Sequence, residues 1–118
     1  YRRGLDALKS HEYDAAITAL REVVASYPQH ELADNAQYWL GEAYYDQKDY
    51  GRALAEFRAT VTVFPRGNKV PDALLKVGFA YLALGDSAKA KAALGQVVTL
   101  YPGTAPATLA AARLETLP

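Results

Sequence analysis

Residues 32–65 of this 118-residue chain read LADNAQYWLGEAYYDQKDYGRALAEFRATVTVFP and predict two helices joined by a short polar turn. The first half places apolar side chains on one helical face: Ala33, Ala36, Leu40, Ala43 and Tyr44. Asp49 in the turn is a good N-cap for the second helix. The second half has the same helical spacing: Ala53, Leu54, Phe57, Val61 and Phe64. Pro65 ends it, because proline cannot continue the backbone hydrogen-bond ladder.

The same pattern recurs every 37 residues along the whole chain. Three residue types keep this spacing: Gly4, Gly41 and Gly78; Ala16, Ala53 and Ala90; Pro28, Pro65 and Pro102. A glycine on the first helix and an alanine on the second would let the two helix axes approach closely. One hairpin cannot bury its apolar face alone, so we expect the hairpins to stack. Asp86, equivalent to Asp49, is expected to cap the last hairpin's second helix.

A capping helix is expected after the third hairpin. Pro106 suits the first turn of a helix. An apolar stripe follows it, formed by Leu109, Ala110, Leu114 and Leu117. The opposite face is polar and carries Arg113, Glu115 and Thr116. We therefore predict an all-α solenoid of seven helices, three helical hairpins plus a C-terminal capping helix.

The spacing predicts one domain over residues 1–118. Repeat 1 covers about 1–29, repeat 2 about 30–66, repeat 3 about 67–103 and the capping helix about 105–117. Repeat 1 is interpreted as lacking the start of its first helix. The chain begins at Tyr1 without any Met or signal-like segment, so we interpret it as an excised domain or a processed fragment. Repeats built from one helical hairpin commonly have about 34 residues, and the repeat of 37 residues is longer. The extra residues lie between each proline and the next glycine, so we expect a longer first helix or a longer link.

Composition argues against several classes of function. Thirteen basic and thirteen acidic residues give a net charge of zero, which disfavours nucleic-acid binding through phosphate neutralisation. The absence of Cys excludes disulfides, thiolate metal sites and cysteine nucleophiles. His11 and His30 lack metal-ligand spacing, and no serine has a nucleophile context, so we expect no enzyme, metal or cofactor. No apolar run approaches the roughly 18 residues of a membrane span, so no membrane insertion is expected.

The motif Leu-Gly-x-x-Tyr, followed by Ala, an aromatic residue and Pro, resembles the tetratricopeptide repeat. Repeat 2 matches it best, with Leu40, Gly41, Tyr44, Ala53, Phe57 and Pro65. Repeat 3 keeps the glycine, tyrosine, alanine and proline but has Val77 and Leu94 at the other two positions. The resemblance implies a tetratricopeptide-type α-solenoid whose first helices line a concave groove for a protein partner.

The run ADNAQYWLGEAYY (33–45), with PDALLKVG (71–78), is similar to the C-terminal domain of the YbgF/CpoB family. This resemblance covers essentially the whole chain. It implies a periplasmic Tol-Pal protein of a Gram-negative bacterium that helps to coordinate outer-membrane constriction with peptidoglycan synthesis during division. It also implies TolA or another envelope protein as partner, a peptidoglycan synthase being one candidate. The alternative is a tetratricopeptide scaffold subunit of an outer-membrane assembly or pilus machine.

Family members also carry an N-terminal coiled coil that this chain does not contain. The resemblance therefore implies a trimeric full-length protein, whereas we expect the fragment to be monomeric. The upstream sequence would discriminate the two functions, since a coiled coil favours the Tol-Pal protein and a lipidated cysteine favours the assembly subunit.

Candidate partner-binding residues lie on the first helix of each repeat and face away from the second helix. They are Leu5 and Leu8 in repeat 1; Asn35, Tyr38, Trp39, Glu42, Tyr45 and Asp46 in repeat 2; and Asp72, Leu75, Lys76 and Phe79 in repeat 3. Aromatic side chains in a groove are common anchors for a bound segment. The aromatic residues among them either line the groove or pack between repeats, and both interpretations stay open.

Charge is distributed unevenly. Acidic residues predominate in 31–49, and basic residues predominate in 52–91. We hypothesise an acidic, aromatic patch around Glu42 and Asp46 that prefers a basic partner; the alternative is an ordinary solvated helix face. Some tetratricopeptide domains bind C-terminal carboxylates with basic and amide side chains. The corresponding positions hold Leu5, Trp39, Asp72 and Lys76, so capture of acidic tails is not expected.

Overall fold

The computed structural model describes residues 1–118 and contains seven helices without a β-strand. The helices are α1 (Arg2–Lys9), α2 (Tyr13–Ser26), α3 (Glu31–Asp46), α4 (Tyr50–Val63), α5 (Val70–Ala83), α6 (Ser87–Leu100) and α7 (Ala105–Thr116). Each helix packs against the next, and α5 also contacts α7. The predicted all-α solenoid of three hairpins and a capping helix is confirmed. No helix combines the length and apolar content needed to cross a lipid bilayer.

Glycine on the first helix of each hairpin accommodates a large side chain from the second. A Cβ on Gly41 would lie 2.5 Å from the Phe57 ring, and one on Gly78 would lie 2.6 Å from Leu94. Gly4 meets Leu20 in the same way. In each hairpin the side chain that contacts the glycine therefore lies four positions after the recurring alanine on the second helix. The alanines at 16, 53 and 90 are fully buried beside it.

Local capping sets where most helices begin. The side chains of Asp49 and Asp86 accept hydrogen bonds from the backbone amides of Arg52 and Lys89, at 3.3 and 3.1 Å. Both predicted caps are thus confirmed. Thr104 caps α7 in the same way.

The extra residues of repeats 2 and 3 are used differently. In repeat 2 they lengthen the helix, since α3 has 16 residues where α4, α5 and α6 have 14. In repeat 3 they lengthen the link, because α5 begins only at Val70. Lys69 provides no side-chain cap there; instead its backbone amide donates to Asp34 of α3, at 3.3 Å. Gly67 lies directly against the same carboxylate, so a bulkier residue would displace the link.

Burial is the main influence on the Asp34 carboxyl and raises its pKa, although backbone hydrogen bonds from Lys69 and Asn68 oppose the shift. The folded chain therefore binds this proton more tightly than the unfolded chain does. The resulting stability is complete below the unfolded pKa of about 4 and is lost as pH rises through the raised folded pKa.

We expect Asp34→Asn to abolish this pH-dependent contribution, because asparagine does not titrate. The melting temperature of the wild type, relative to that of the variant, should fall as pH rises from about 4 to about 6. Thermal unfolding followed by circular dichroism measures this, and the exposed Asp14→Asn serves as control. If the difference in melting temperature between wild type and Asp34→Asn does not change with pH, the raised pKa of Asp34 is contradicted.

The capping helix packs on α5 and α6 through a narrower face than the one predicted. Ala107 and Ala110 are buried, and Leu114 and Leu117 are half-buried against the core. Leu109 is 55% exposed, so its predicted place in the apolar stripe is wrong. The physical reason is the helical step of about 100°, which turns Leu109 away when its neighbour Ala110 faces inward.

Candidate functional site on the inner surface

The inner surface is the face formed by α1, α3, α5 and α7. Side-chain contacts join α3 to α5 across it. Lys76 Nζ lies 3.1 Å from Glu42 Oε1 and 4.8 Å from the centre of the Tyr45 ring. Lys69 Nζ lies 5.1 and 5.5 Å from the ring centres of Tyr38 and Trp39. Basic side chains of α5 and of the link before it therefore cover aromatic rings of α3.

Three predicted binding residues offer almost no free surface. Tyr38 is only 7% exposed, and Leu8 and Leu75 are buried as well. The Tyr38 ring packs against the rings of Trp39 and Phe57, with centroids 5.3 and 5.6 Å apart. Burial, followed by the charges of Glu42 and Asp72, raises the pKa of Tyr38 and keeps its hydroxyl protonated. Leu75, named among the partner-binding residues, is not available to a partner, because it belongs to the core of repeats 2 and 3.

The other predicted residues remain at least partly accessible. Those with intermediate exposure are Leu5, Asn35, Trp39, Glu42, Tyr45, Asp72, Lys76 and Phe79, and Asp46 is exposed. Trp39 both packs between repeats and lines the groove. It contacts each of the three clusters of buried apolar residues in the chain and is still partly exposed to solvent.

The predicted acidic patch is partly neutralised. Glu42 is paired with Lys76, which the sequence placed on the same groove without predicting the contact. Asp46 accepts a hydrogen bond from the Tyr13 hydroxyl at 3.3 Å but keeps no cationic partner. The inner surface is therefore one of mixed charge, and of the two acids in the predicted patch Asp46 is the exposed one.

A hollow of about 400 Å³ opens at the end of this surface nearest the C-terminus. Its lining comes from three helices: Tyr45 on α3, Phe79, Leu82 and Ala83 on α5, and Arg113 on α7. Burial, with contributions from Tyr50 and Glu42, raises the pKa of Tyr45, and Arg113 opposes this shift. The sequence interpretation missed Arg113 and assigned it to the outside of the capping helix. The 37-residue spacing contained the signal, because Arg113 is equivalent to Lys76.

The outer surface, formed by α2, α4 and α6, contains a polar network that the sequence interpretation also missed. The buried Gln37 side chain donates to the Glu56 carboxylate at 2.8 Å and to the Glu56 carbonyl at 3.0 Å. Arg21 donates to the same carboxylate at 2.5 Å and to the Tyr44 hydroxyl at 3.1 Å. This network ties repeat 1 to repeat 2.

Comparison with known proteins supports the fold seen here. Residues 1–68 match a family model described as the tetratricopeptide repeat, and residues 72–104 match a second model of the same description. No curated protein matches the sequence closely enough to count as a relative.

Similar solved structures share the fold at low sequence identity. The tetratricopeptide domain of Arabidopsis OM64 has a TM-score of 0.76 and 18% identity, covering 98% of this chain and 92% of that one. The first such domain of Spaghetti (RPAP3), bound to the HSP90 peptide SRMEEVD, has a TM-score of 0.74 and 21% identity, with coverages of 97% and 86%. The second domain of human RPAP3, in complex with the HSP70 peptide SGPTIEEVD, has a TM-score of 0.76 and 21% identity, with coverages of 98% and 92%.

Proposed function

The chain belongs to the tetratricopeptide repeat family, and we propose on that premise that it binds a segment of a partner protein on its inner surface. Tetratricopeptide repeat domains mediate protein–protein interaction, and two of the structural neighbours hold peptides. The observation that supports the proposal most directly is the hollow between α3, α5 and α7. Its walls are the apolar parts of Tyr45, Phe79 and Leu82, and Arg113 is its charged residue.

An apolar side chain of the partner would fill this hollow, and burial of Phe79 and Leu82 would supply most of the affinity. Arg113 lines the hollow, and Asp46 follows the lining residue Tyr45 at the end of α3. Exposed charges of opposite sign favour one orientation of the bound segment over the reverse.

The partner that we propose is TolA or another envelope protein, a peptidoglycan synthase among them, in the periplasm of a Gram-negative bacterium. The protein would thereby help to coordinate outer-membrane constriction with peptidoglycan synthesis during division. The support is the similarity of residues 33–45 and 71–78 to the YbgF/CpoB family. In the full-length protein the domain would be presented three times, on a trimeric coiled coil.

Trp39 provides the test, because it is the only tryptophan and lies half-buried on the inner surface. Titration with the purified periplasmic part of TolA should change its fluorescence in a saturable way. Phe79→Ala should weaken binding by about tenfold or more, as expected when a contact at the centre of an interface is truncated. Thr18→Ala, at an exposed position on α2, is the matched control and should bind normally.

Phe79 packs partly on the core, so circular dichroism must show that Phe79→Ala is folded at the titration temperature. A folded Phe79→Ala protein that binds TolA like the wild type would refute this binding surface. The peptide SRMEEVD forms a second arm of the experiment. We expect no saturable change with it, because Leu5 and Trp39 stand where a carboxylate would need polar or basic partners.

A further inference from the structure

The outer surface has two junctions that are equivalent in sequence but differ in chemistry. The first junction lies between α2 and α4, above α3, and the second lies between α4 and α6, above α5. The three outer helices begin and end 37 residues apart, so their residues correspond one to one. The network residues of the first junction and their equivalents in the second are Arg21 and Arg58, Tyr44 and Tyr81, Gln37 and Leu74, and Glu56 and Ala93.

The first junction is filled by its own glutamate. Glu56 presents its carboxylate to Arg21, while the rest of its side chain is enclosed, so that only 15% of the side chain is exposed. The second junction keeps the arginine and the tyrosine but has Ala93 where the glutamate would be.

The second junction consequently contains an open pocket of about 280 Å³, the outer pocket. Its apolar walls are Val61, Leu74, Val77, Ala92 and Ala93, and its polar rim is Arg58, Thr62, Tyr81, Lys89 and Gln96. Arg58 makes no ion pair, and the Tyr81 hydroxyl has no hydrogen-bond partner in the protein. Lys89 adds a second positive charge, 5.8 Å from the Tyr81 ring, and its contact with Asp86 is a loose one of 4.0 Å.

We propose that the outer pocket binds the side chain of a glutamate presented by a partner protein, in the manner in which Glu56 occupies the first junction. Arg58 would hold the carboxylate as Arg21 holds that of Glu56 in the first junction. The Tyr81 hydroxyl, which has no partner in the protein, would accept from Arg58 as Tyr44 accepts from Arg21. The apolar walls would enclose the methylene groups, which a simple inorganic anion does not have. This site lies on the opposite surface from the hollow at Phe79, so it extends the proposed function without depending on it.

The first test fills the outer pocket from within. Ala93→Glu should restore the missing carboxylate and raise the melting temperature by about 3 °C over Ala93→Gln, which has the same size but no charge. Arg58→Ala in the same background should remove the difference, and high salt should reduce it. If the Ala93→Glu and Ala93→Gln variants melt at the same temperature, or Arg58→Ala leaves the difference intact, the proposal is wrong.

The second test supplies the glutamate from outside. Titration of the wild-type chain with N-acetylglutamate N-methylamide should shift the backbone amide resonances of Lys89, Ala92 and Gln96 in a saturable manner. The glutamine analogue should bind about tenfold more weakly, because it lacks the charge that Arg58 recognises. Both Arg58→Ala and Ala93→Glu should abolish the shifts, the first by removing the cation and the second by occupying the pocket.

Three results of the titration would overturn the proposal. They are equal binding of the two analogues, shifts that survive in Ala93→Glu, and tighter binding of free glutarate than of the capped glutamate, which would assign the outer pocket to a small dicarboxylate. Binding of TolA to the inner surface is measured separately, through Trp39 fluorescence. The proposal for one site can therefore be refuted while the proposal for the other stands.

Discussion

Gly41→Ala is expected to lower the free energy of unfolding by about 3 kcal/mol, although it adds a single methyl group. That methyl carbon would lie 2.5 Å from two carbons of the Phe57 ring and 2.9 Å from a third. The ring is fully buried and is packed against Tyr38 and Tyr45, with centroid distances of 5.6 and 6.4 Å. It therefore has no free space in which to move, and α3 and α4 would have to separate.

Gly95→Ala is the matched control for this experiment. Gly95 also lies inside a helix, but a Cβ there would meet nothing within 4 Å. Replacement of a helical glycine by alanine should then stabilise the chain by about 0.5–1 kcal/mol. Urea unfolding followed by circular dichroism measures both variants. If Gly41→Ala is as stable as the wild type or more stable, the Gly41–Phe57 contact is not tight.

Glu56→Ala is expected to lower the free energy of unfolding by about 2 kcal/mol. The main cause is the side-chain amide of Gln37, which is 7% exposed. It would lose its hydrogen bond to the carboxylate and keep only the one to the backbone carbonyl of residue 56. The lost ion pair contributes less, because the Arg21 side chain is 51% exposed and its charge is screened by water. Alanine is an excellent helix former, so the backbone of α4 should not oppose the substitution.

A second substitution separates this cause from a general loss of packing. Gln37→Leu in the Glu56→Ala background turns the first junction into a copy of the second, which has Leu74 and Ala93 at these positions. Removal of both polar partners together should recover most of the stability lost by Glu56→Ala, as judged by urea unfolding. If the double variant is less stable than Glu56→Ala, the loss does not come from an unsatisfied amide.

The parts of the fold that repeat were predictable from the sequence, because periodic glycines, alanines and prolines report on helix packing wherever it recurs. Asp49 and Asp86 were predictable as caps for a related reason, since capping depends on residues only three positions away. The contact that holds the link before α5 was not, because the Lys69 amide donates to Asp34, which lies 35 residues earlier in the chain.

The candidate site was predicted less completely. Helical spacing placed Tyr38 on the inner surface, but only the packing of Trp39 and Phe57 around its ring determines that it is buried. Arg113 was missed because the capping helix was interpreted as an end of the array and not as the first helix of a further repeat.

The outer network also bears on how such an array can grow by gene duplication. Repeat 2 directs two acceptors of the Arg21 guanidinium, Tyr44 and Glu56, towards the repeat before it, and Gln37 donates to the same carboxylate. It directs Arg58 towards the repeat after it. A second copy of repeat 2 inserted behind the first would bring its own glutamate to the waiting Arg58. Repeat 2 is therefore compatible with itself as a neighbour, and repeat 3, with Ala93, is the point at which that chain of matching contacts stops.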